Sequence, residues 1–177
     1  MIEPPATHNL FHVPDPKSFR DAAAAIICLD DGRYLMQHRD DKPGIFYPDH
    51  WGLFGGALDP DEEPETALQR ELREELGWDM PRPHYFTTMN FGFDVLGIAS
   101  TIRVFYTLSL SVDVIPRLTL GEGQSMQALT SQDILLEKRV VPYDAFALWL
   151  HHAWRIQGSP APVPPQTWQY QASEPVG

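Results

Sequence analysis

Three glutamates, Glu71, Glu74 and Glu75, are spaced i, i+3, i+4 within the run RELREELGW. At about 100° per residue, a helix with that spacing gathers three carboxylates on one side. Like charges so placed repel by about 0.2–0.5 kcal/mol per pair in water, and by more as water is excluded. A bound cation reverses the penalty. Oxygen ligands without a cysteine or histidine cluster suit hard divalent ions, so magnesium or manganese is expected over zinc. The alternative is a solvated charged face in which Arg70 and Arg73 neutralise the glutamates, Arg70 pairing with Glu74 four residues on.

The helix carrying these carboxylates is expected from Pro64 to Leu76. Proline suits a first turn, Glu65 favours the positive end of the helix dipole, and Gly77 suits the left-handed position that ends a helix. Leu68, Leu72 and Leu76 form an apolar stripe that must face a core; Glu71 and Glu75 flank it, with Glu74 farther round. Upstream, Gly56 is followed after five residues by Glu62, and after seven more by Arg70-Glu71, then Leu72, Glu74, Glu75, Gly77 and the apolar Trp78. This order resembles, position by position, the Nudix box GX5EX7REUXEEXGU. Two departures, Phe54 where many members have proline and Trp78 where an aliphatic residue is usual, are changes of size outside the carboxylates.

The resemblance implies an α/β/α sandwich with a mixed β-sheet over residues 21–157, and an enzyme that hydrolyses phosphoanhydride bonds. Its substrates would be nucleoside diphosphates linked to another group, with water attacking phosphorus and Mg²⁺ or Mn²⁺ as cofactor. Carried over by position, Glu71, Glu74 and Glu75 become metal ligands, with the carbonyl of Gly55 as a further one. Glu62 and Arg70 would brace loop and helix through a salt bridge. The general base would be Glu74 or a loop glutamate, for which Glu122, between Gly121 and Gly123, is the candidate. Markers of several subfamilies are missing: no SQPWPFPxS run, Phe93 at the proline position of ADP-ribose types, Leu96 at the tyrosine position of dinucleoside polyphosphate types. A nucleoside triphosphate or a nucleotide sugar stays open as substrate, as does a homodimer. An alternative of another class is a Nudix-fold module that senses a nucleotide with little turnover.

The rest of the chain must hold this helix in place. Residues 22–29 read as an apolar strand, Asp30-Asp31-Gly32 as a hairpin turn, and Tyr34, Leu35 and Met36 as a second strand ending near Arg39. Asp40 to His50 is a loop; WGLFGG returns as one short strand. Ile102, Val104, Tyr106, Leu108 and Leu110 alternate along a half-buried strand, with PHYFTTMNFGFDV its partner, and Ser125–Leu129 is a further short strand. After Pro142, Phe146, Trp149, Leu150 and Ala153 form the expected buried stripe of a last helix, with His151 and His152 partly exposed beside it. Arg39 is a candidate for bidentate contact with a phosphate, or else pairs with Asp40 or Asp41. Arg103 points away from Ile102 and Val104, toward the same cleft. Phe46, Tyr47 and Trp51 are candidates for stacking on a base or for aromatic packing of the loop.

Composition narrows the partners. The net charge of −11 repels duplex nucleic acid and anionic membranes, which need basic stripes, so a small-molecule substrate is expected. The N-terminal MIEPPATHNL has neither a basic nor an apolar leader region, and no apolar run reaches the roughly 20 residues of a membrane span. A cytoplasmic domain is expected, flanked by a proline-containing arm over residues 1–20 and a proline-rich tail over 158–177 that Trp168 and Tyr170 could anchor. The single cysteine, Cys28, is expected in the core.

Overall fold

Among the described residues, the chain first folds back on itself at Asp30-Asp31-Gly32. The strand β1 (Ala22–Leu29) meets β2 (Tyr34–His38) antiparallel, Ile27 opposite Leu35 and Cys28 opposite Tyr34. Gly32 takes φ +90°, the left-handed region that the tight turn demands and that glycine enters without steric cost. The structure, a computed structural model, describes residues 20–93 and 98–158. Nearly all of the expected arm, the tail with Trp168 and Tyr170, and Leu96 lie outside the described residues.

Beyond Leu35 the two strands part, and the segment expected as one strand enters the wedge as two. Here β3 (Trp51–Gly52) pairs with Gln37 and His38 of β2, while β4 (Phe54–Ala57) pairs with Ala22 to Ala25 of β1. Leu53, between them, marks the change of partner. Then come α1 (Pro64–Leu76), β5 (His84–Phe93) and β6 (Ile98–Leu110). From Arg103 to Leu110 β6 lies parallel to the whole of β1, Ala22 opposite Arg103 and Leu29 opposite Leu110, and it pairs antiparallel with β5. β7 (Ser125–Leu129) closes on the free side of β2, and α2 (Pro142–Gln157) ends the described chain. The sheet of seven strands is therefore mixed, with a main order β3-β2-β1-β6-β5.

Each face of the sheet is covered by one helix, so both faces are buried. Ala23, Ala25, Ile27, Val104 and Tyr106 pack against Leu68, Leu72 and Leu76 of α1, all three leucines fully buried as their spacing requires. On the opposite face Ala24, Ile26, Tyr34, Met36 and Phe105 pack against Ala147 and Leu148 of α2. β6 keeps the expected alternation at Val104, Tyr106, Leu108 and Leu110, with Arg103, Thr107 and Ser109 less buried, but is covered on both sides at Phe105. Helix α1 has the expected limits, with Pro64 in its first turn and Gly77 left-handed at its end, where Gly77 N–H donates to Arg73 O and Trp78 N–H to Leu72 O.

Helix α2 turns a different face inward from the one expected. Tyr143, Asp144, Ala147, Leu148 and His151 are buried, while Phe146 and Trp149 are half exposed and stack on each other. The stripe through Phe146 and Trp149 is apolar, but the sheet surface beneath α2 already carries Tyr34, Met36 and Phe105. Small Ala147 lets the helix approach that bulky layer where Phe146 would not. His151, expected at the surface, is buried, its Nδ1 3.0 Å from Tyr34 Oη. No helix among the described residues is long and apolar enough to cross a membrane.

Candidate active site

The parting of β1 and β2 leaves a cavity of about 270 Å³ at one end of the sheet, reached by both helices. One wall is α1 with β4: Glu71, Glu75, Gly55 and Gly56. Arg39, Arg103 and Tyr143 line it as well, with Phe46, Phe91 and Glu122.

The carboxylates enter because β4 is stripped of side chains. A Cβ at Gly56 would stand 2.5 and 2.6 Å from the two Glu71 oxygens, so only glycine lets that carboxylate lie on the strand. Gly55 has φ +126°, and a Cβ there would meet the β1 backbone, 2.9 Å from Ala24 Cα. Glu75 is buried, 5% exposed; its Oε2 accepts the Gly55 N–H at 2.8 Å and its Oε1 accepts from Gln37 Nε2 at 3.2 Å. Burial pushes its carboxyl up to about 8 despite those donors, and the charges of Glu122 and Glu71 push the same way. Burial raises Glu71 too, against the lowering effect of Arg70, whose Nη1 lies 2.6 Å from Glu71 Oε1.

Arg70 ties the loop before α1 to the helix. Its Nε and Nη2 donate to the two oxygens of Glu62 at 3.1 and 2.9 Å, and Nη2 also reaches Ala57 O at 3.1 Å. The salt bridge expected between Glu62 and Arg70 is formed. Glu74 is turned away: its side chain is 63% exposed, with Arg70 3.8 Å distant, and it is not part of the cavity wall. Among the described residues, no three acidic, imidazole or thiol side chains meet closely enough to hold an ion by themselves. A hard divalent ion does not need three, because one or two carboxylates suffice when water and substrate oxygens complete its shell. Glu71 and Glu75, both brought onto the glycine floor of β4 and both raised chiefly by burial, fit that chemistry.

Among the remaining candidates, Arg39, Phe46 and Arg103 line the cavity, and Arg39 Nε donates to Phe46 O at 3.0 Å rather than pairing with Asp40 or Asp41. Tyr47 lies behind the wall, packed edge-on against Phe46 and Tyr143, and Trp51 is buried with its ring stacked on His38. Three residues without a motif also belong here. Gln37 bridges Glu75 and the loop of Glu122, whose main-chain oxygen it meets at 3.1 Å; a glutamine inside the apolar run YLMQ was its only signal. Tyr143 carries the Arg103 guanidinium 4.0 Å above its ring, and Asp144 is buried beside it.

The family model for the Nudix domain matches residues 18–152. The chain belongs to the Nudix family. Over 55 residues it is 50% identical to the protein named nucleoside triphosphatase NudI of Escherichia coli O1:K1, a match covering 29% of this chain and 38% of that relative. The chain thus spans well under half the length of the curated relatives it matches. In structure this Nudix domain is similar to the MutT protein of Methanosarcina mazei Go1, with a TM-score of 0.64 at 20% identity over 77% of this chain and 94% of that one. It is likewise similar to the Nudix domain of Shewanella oneidensis NrtR, solved with ADP ribose, with a TM-score of 0.60 at 21% identity over 80% and 93%. These likenesses bear out the α/β/α sandwich.

The Nudix sheet has a second cleft at its other end, between Cys28, Leu110, His151 and Trp154. Cys28 is only half buried there, not the core residue expected, with Sγ 3.8 Å from His151 Nε2. Burial pushes the thiol up to about 11 and the imidazole down to about 4, so both are neutral at ordinary pH and the pair offers no thiolate.

Proposed function

We propose that this Nudix domain is a divalent-metal-dependent hydrolase of phosphoanhydride bonds in nucleoside diphosphate derivatives, with nucleoside triphosphates as the foremost substrate class. One observation carries the reading: two carboxylates raised by burial, Glu71 and Glu75, share a cavity with the guanidinium groups of Arg39 and Arg103. Acid residues that hold a cation and bases that take phosphate oxygens in the same cavity suit a polyphosphate better than any neutral ligand. The name of the NudI relative, a nucleoside triphosphatase, supports the choice among nucleotides.

Glu71 and Glu75 would hold the ion, magnesium or manganese, with the Gly55 carbonyl beside them; Glu74 would join only by leaving Arg70. When bound, the ion neutralises phosphate charge and lowers the pKa of a water molecule near it. Glu122, exposed on a glycine-flanked loop and lining the cavity, is the better placed of the two candidate bases to take a proton from the attacking water. Arg70, through Glu62 and Ala57 O, fixes the angle at which Glu71 enters. Phe46, Phe91 and Tyr143 would flank the nucleoside.

The test is a panel of nucleoside triphosphates, nucleotide sugars and ADP-ribose incubated with Mg²⁺ and the wild-type protein or Glu75→Gln. Phosphate release that needs both the metal and Glu75 is expected. Equal release by the two proteins, or tight nucleotide binding without turnover, would overturn it, the latter in favour of a sensing module.

A further inference from the structure

Behind the cavity wall, in the first turn of α2, Asp144 is 2% exposed. Its Oδ2 accepts the Leu53 N–H at 3.0 Å, whereas Oδ1 is buried with no hydrogen-bond partner. Burial raises its carboxyl above the ordinary carboxylate range, and the charges of Arg103 and Arg39, with the Leu53 N–H, oppose that rise. A Cβ at Gly52 would lie 3.3 Å from Asp144 Oδ2 and 3.4 Å from Arg39 Cδ, so the bare backbone of Gly52 lets both side chains approach it. Arg103 has the complementary defect: its Nε is buried without a partner while its guanidinium lies over Tyr143. The ring that carries this cation and the carboxylate that attracts it are consecutive residues of one helical turn.

A carboxylate wholly removed from water, with one oxygen unbonded, is retained in a fold only where opposite charge repays it. Here the opposite charge belongs to the two arginines that line the same cavity as the glutamates. We propose that Asp144 is a positioning residue: it holds the guanidinium groups of Arg103 and Arg39 against the cavity wall, aimed at the phosphate chain of the substrate. The inference rests on the phosphoanhydride reading above. Without Asp144, two flexible arginine side chains would have to be ordered by each incoming substrate, and Glu71, Glu75 and Glu122 would be free to draw them across the cavity.

The experiment measures binding of a nucleoside triphosphate analogue with a methylene bridge between its α and β phosphorus atoms, with Mg²⁺, by calorimetry. Wild type is compared with Asp144→Asn, Arg103→Met and the double variant, and KM and kcat are measured on the best substrate of the panel. Asp144→Asn keeps the shape and an acceptor for Leu53 N–H while removing the charge. Expected is a loss of affinity of at least about tenfold in each single variant, the scale of one hydrogen bond to a charged group, with little further loss in the double. KM should rise by more than kcat falls, and Asp144→Glu should recover part of the affinity. Wild-type affinity in Asp144→Asn, or losses that simply multiply in the double, would overturn the proposal while leaving hydrolysis intact. A wild-type protein that neither binds the analogue nor hydrolyses any nucleotide would overturn both readings. If Asp144→Asn does not fold, Asp144→Ser, which likewise removes the charge and keeps a side-chain oxygen, takes its place in the cycle with Arg103→Met.

Discussion

The α carbon of Gly56 faces the carboxylate of Glu71 so closely that a methyl group would stand 2.5 Å from Oε1. The backbone of Gly56 is not in the left-handed region, and the group that would be struck is the far end of a flexible side chain. Gly56→Ala should therefore fold with a melting temperature within a few degrees of wild type, yet lose at least about 100-fold in metal-dependent turnover because Glu71 is displaced. Thermal melting beside steady-state assays checks both halves; unaltered turnover would show that Glu71 need not lie on β4.

Gly55→Ala should behave in the opposite way. A Cβ there meets the backbone of β1, which cannot rotate aside, and φ +126° excludes a side chain. A loss of stability of more than about 1–3 kcal/mol is expected, read from urea unfolding, irrespective of metal.

Glu75 makes the stability of the metal-free protein fall as pH rises. Its folded value, about 8, lies above the ordinary 4.5, so the folded state binds this proton more tightly than the unfolded state. The resulting stabilisation is complete below about 4.5 and is lost as the pH climbs through about 8. With EDTA, wild type should melt at lower temperature at pH 9 than at pH 6, and Glu75→Gln should flatten that slope. Added Mg²⁺ should raise the wild-type melting temperature most at the alkaline end, where metal need not displace the proton. A wild-type slope equal to that of Glu75→Gln would remove Glu75 as its cause.

Arg70 and Glu62 should be coupled. Two hydrogen bonds join them, the Glu62 side chain is 13% exposed, and each partner draws the other toward its charged form. A double-mutant cycle with Glu62→Gln and Arg70→Gln is expected to give about 1–2 kcal/mol, well above an exposed pair. An interaction within error of zero would reduce the bridge to a surface contact.

On α2, Leu148→Ala should cost about 2–5 kcal/mol, since its side chain is fully buried. Phe146→Ser and Trp149→Ser, on the half-exposed face, should each cost under about 1 kcal/mol. Urea melts of the three variants decide which face holds the helix to the sheet.

The helix α1 was legible to the residue because everything that fixes it is local. Pro64, Gly77 and the leucine period act within a few positions along the chain, as does Arg70 on Glu62 across a single loop. The hairpin at Gly32 and the short strand β7 were legible for the same reason. The second helix was not, because its sequence offers two apolar faces and the choice between them depends on the sheet it meets. Phe146 and Trp149 are the larger residues, but Ala147 and Leu148 fit beneath Tyr34 and Phe105, which come from strands far away in the chain.

The same division runs through the site. The sequence by itself determined the family the chain resembles: fixed spacing sets Glu71 and Glu75 on one side of a helix, at a set distance from Gly56 and Glu62. Only the tertiary structure decided that Glu74 faces solvent and that Gln37 joins Glu75 to the Glu122 loop. It also decided that Arg39, Arg103 and Tyr143 line the same cavity, with Asp144 buried behind them. The reason is physical: a helix period is set by neighbours along the chain, whereas a cavity wall is set by which strands part and which helix ends cover the gap.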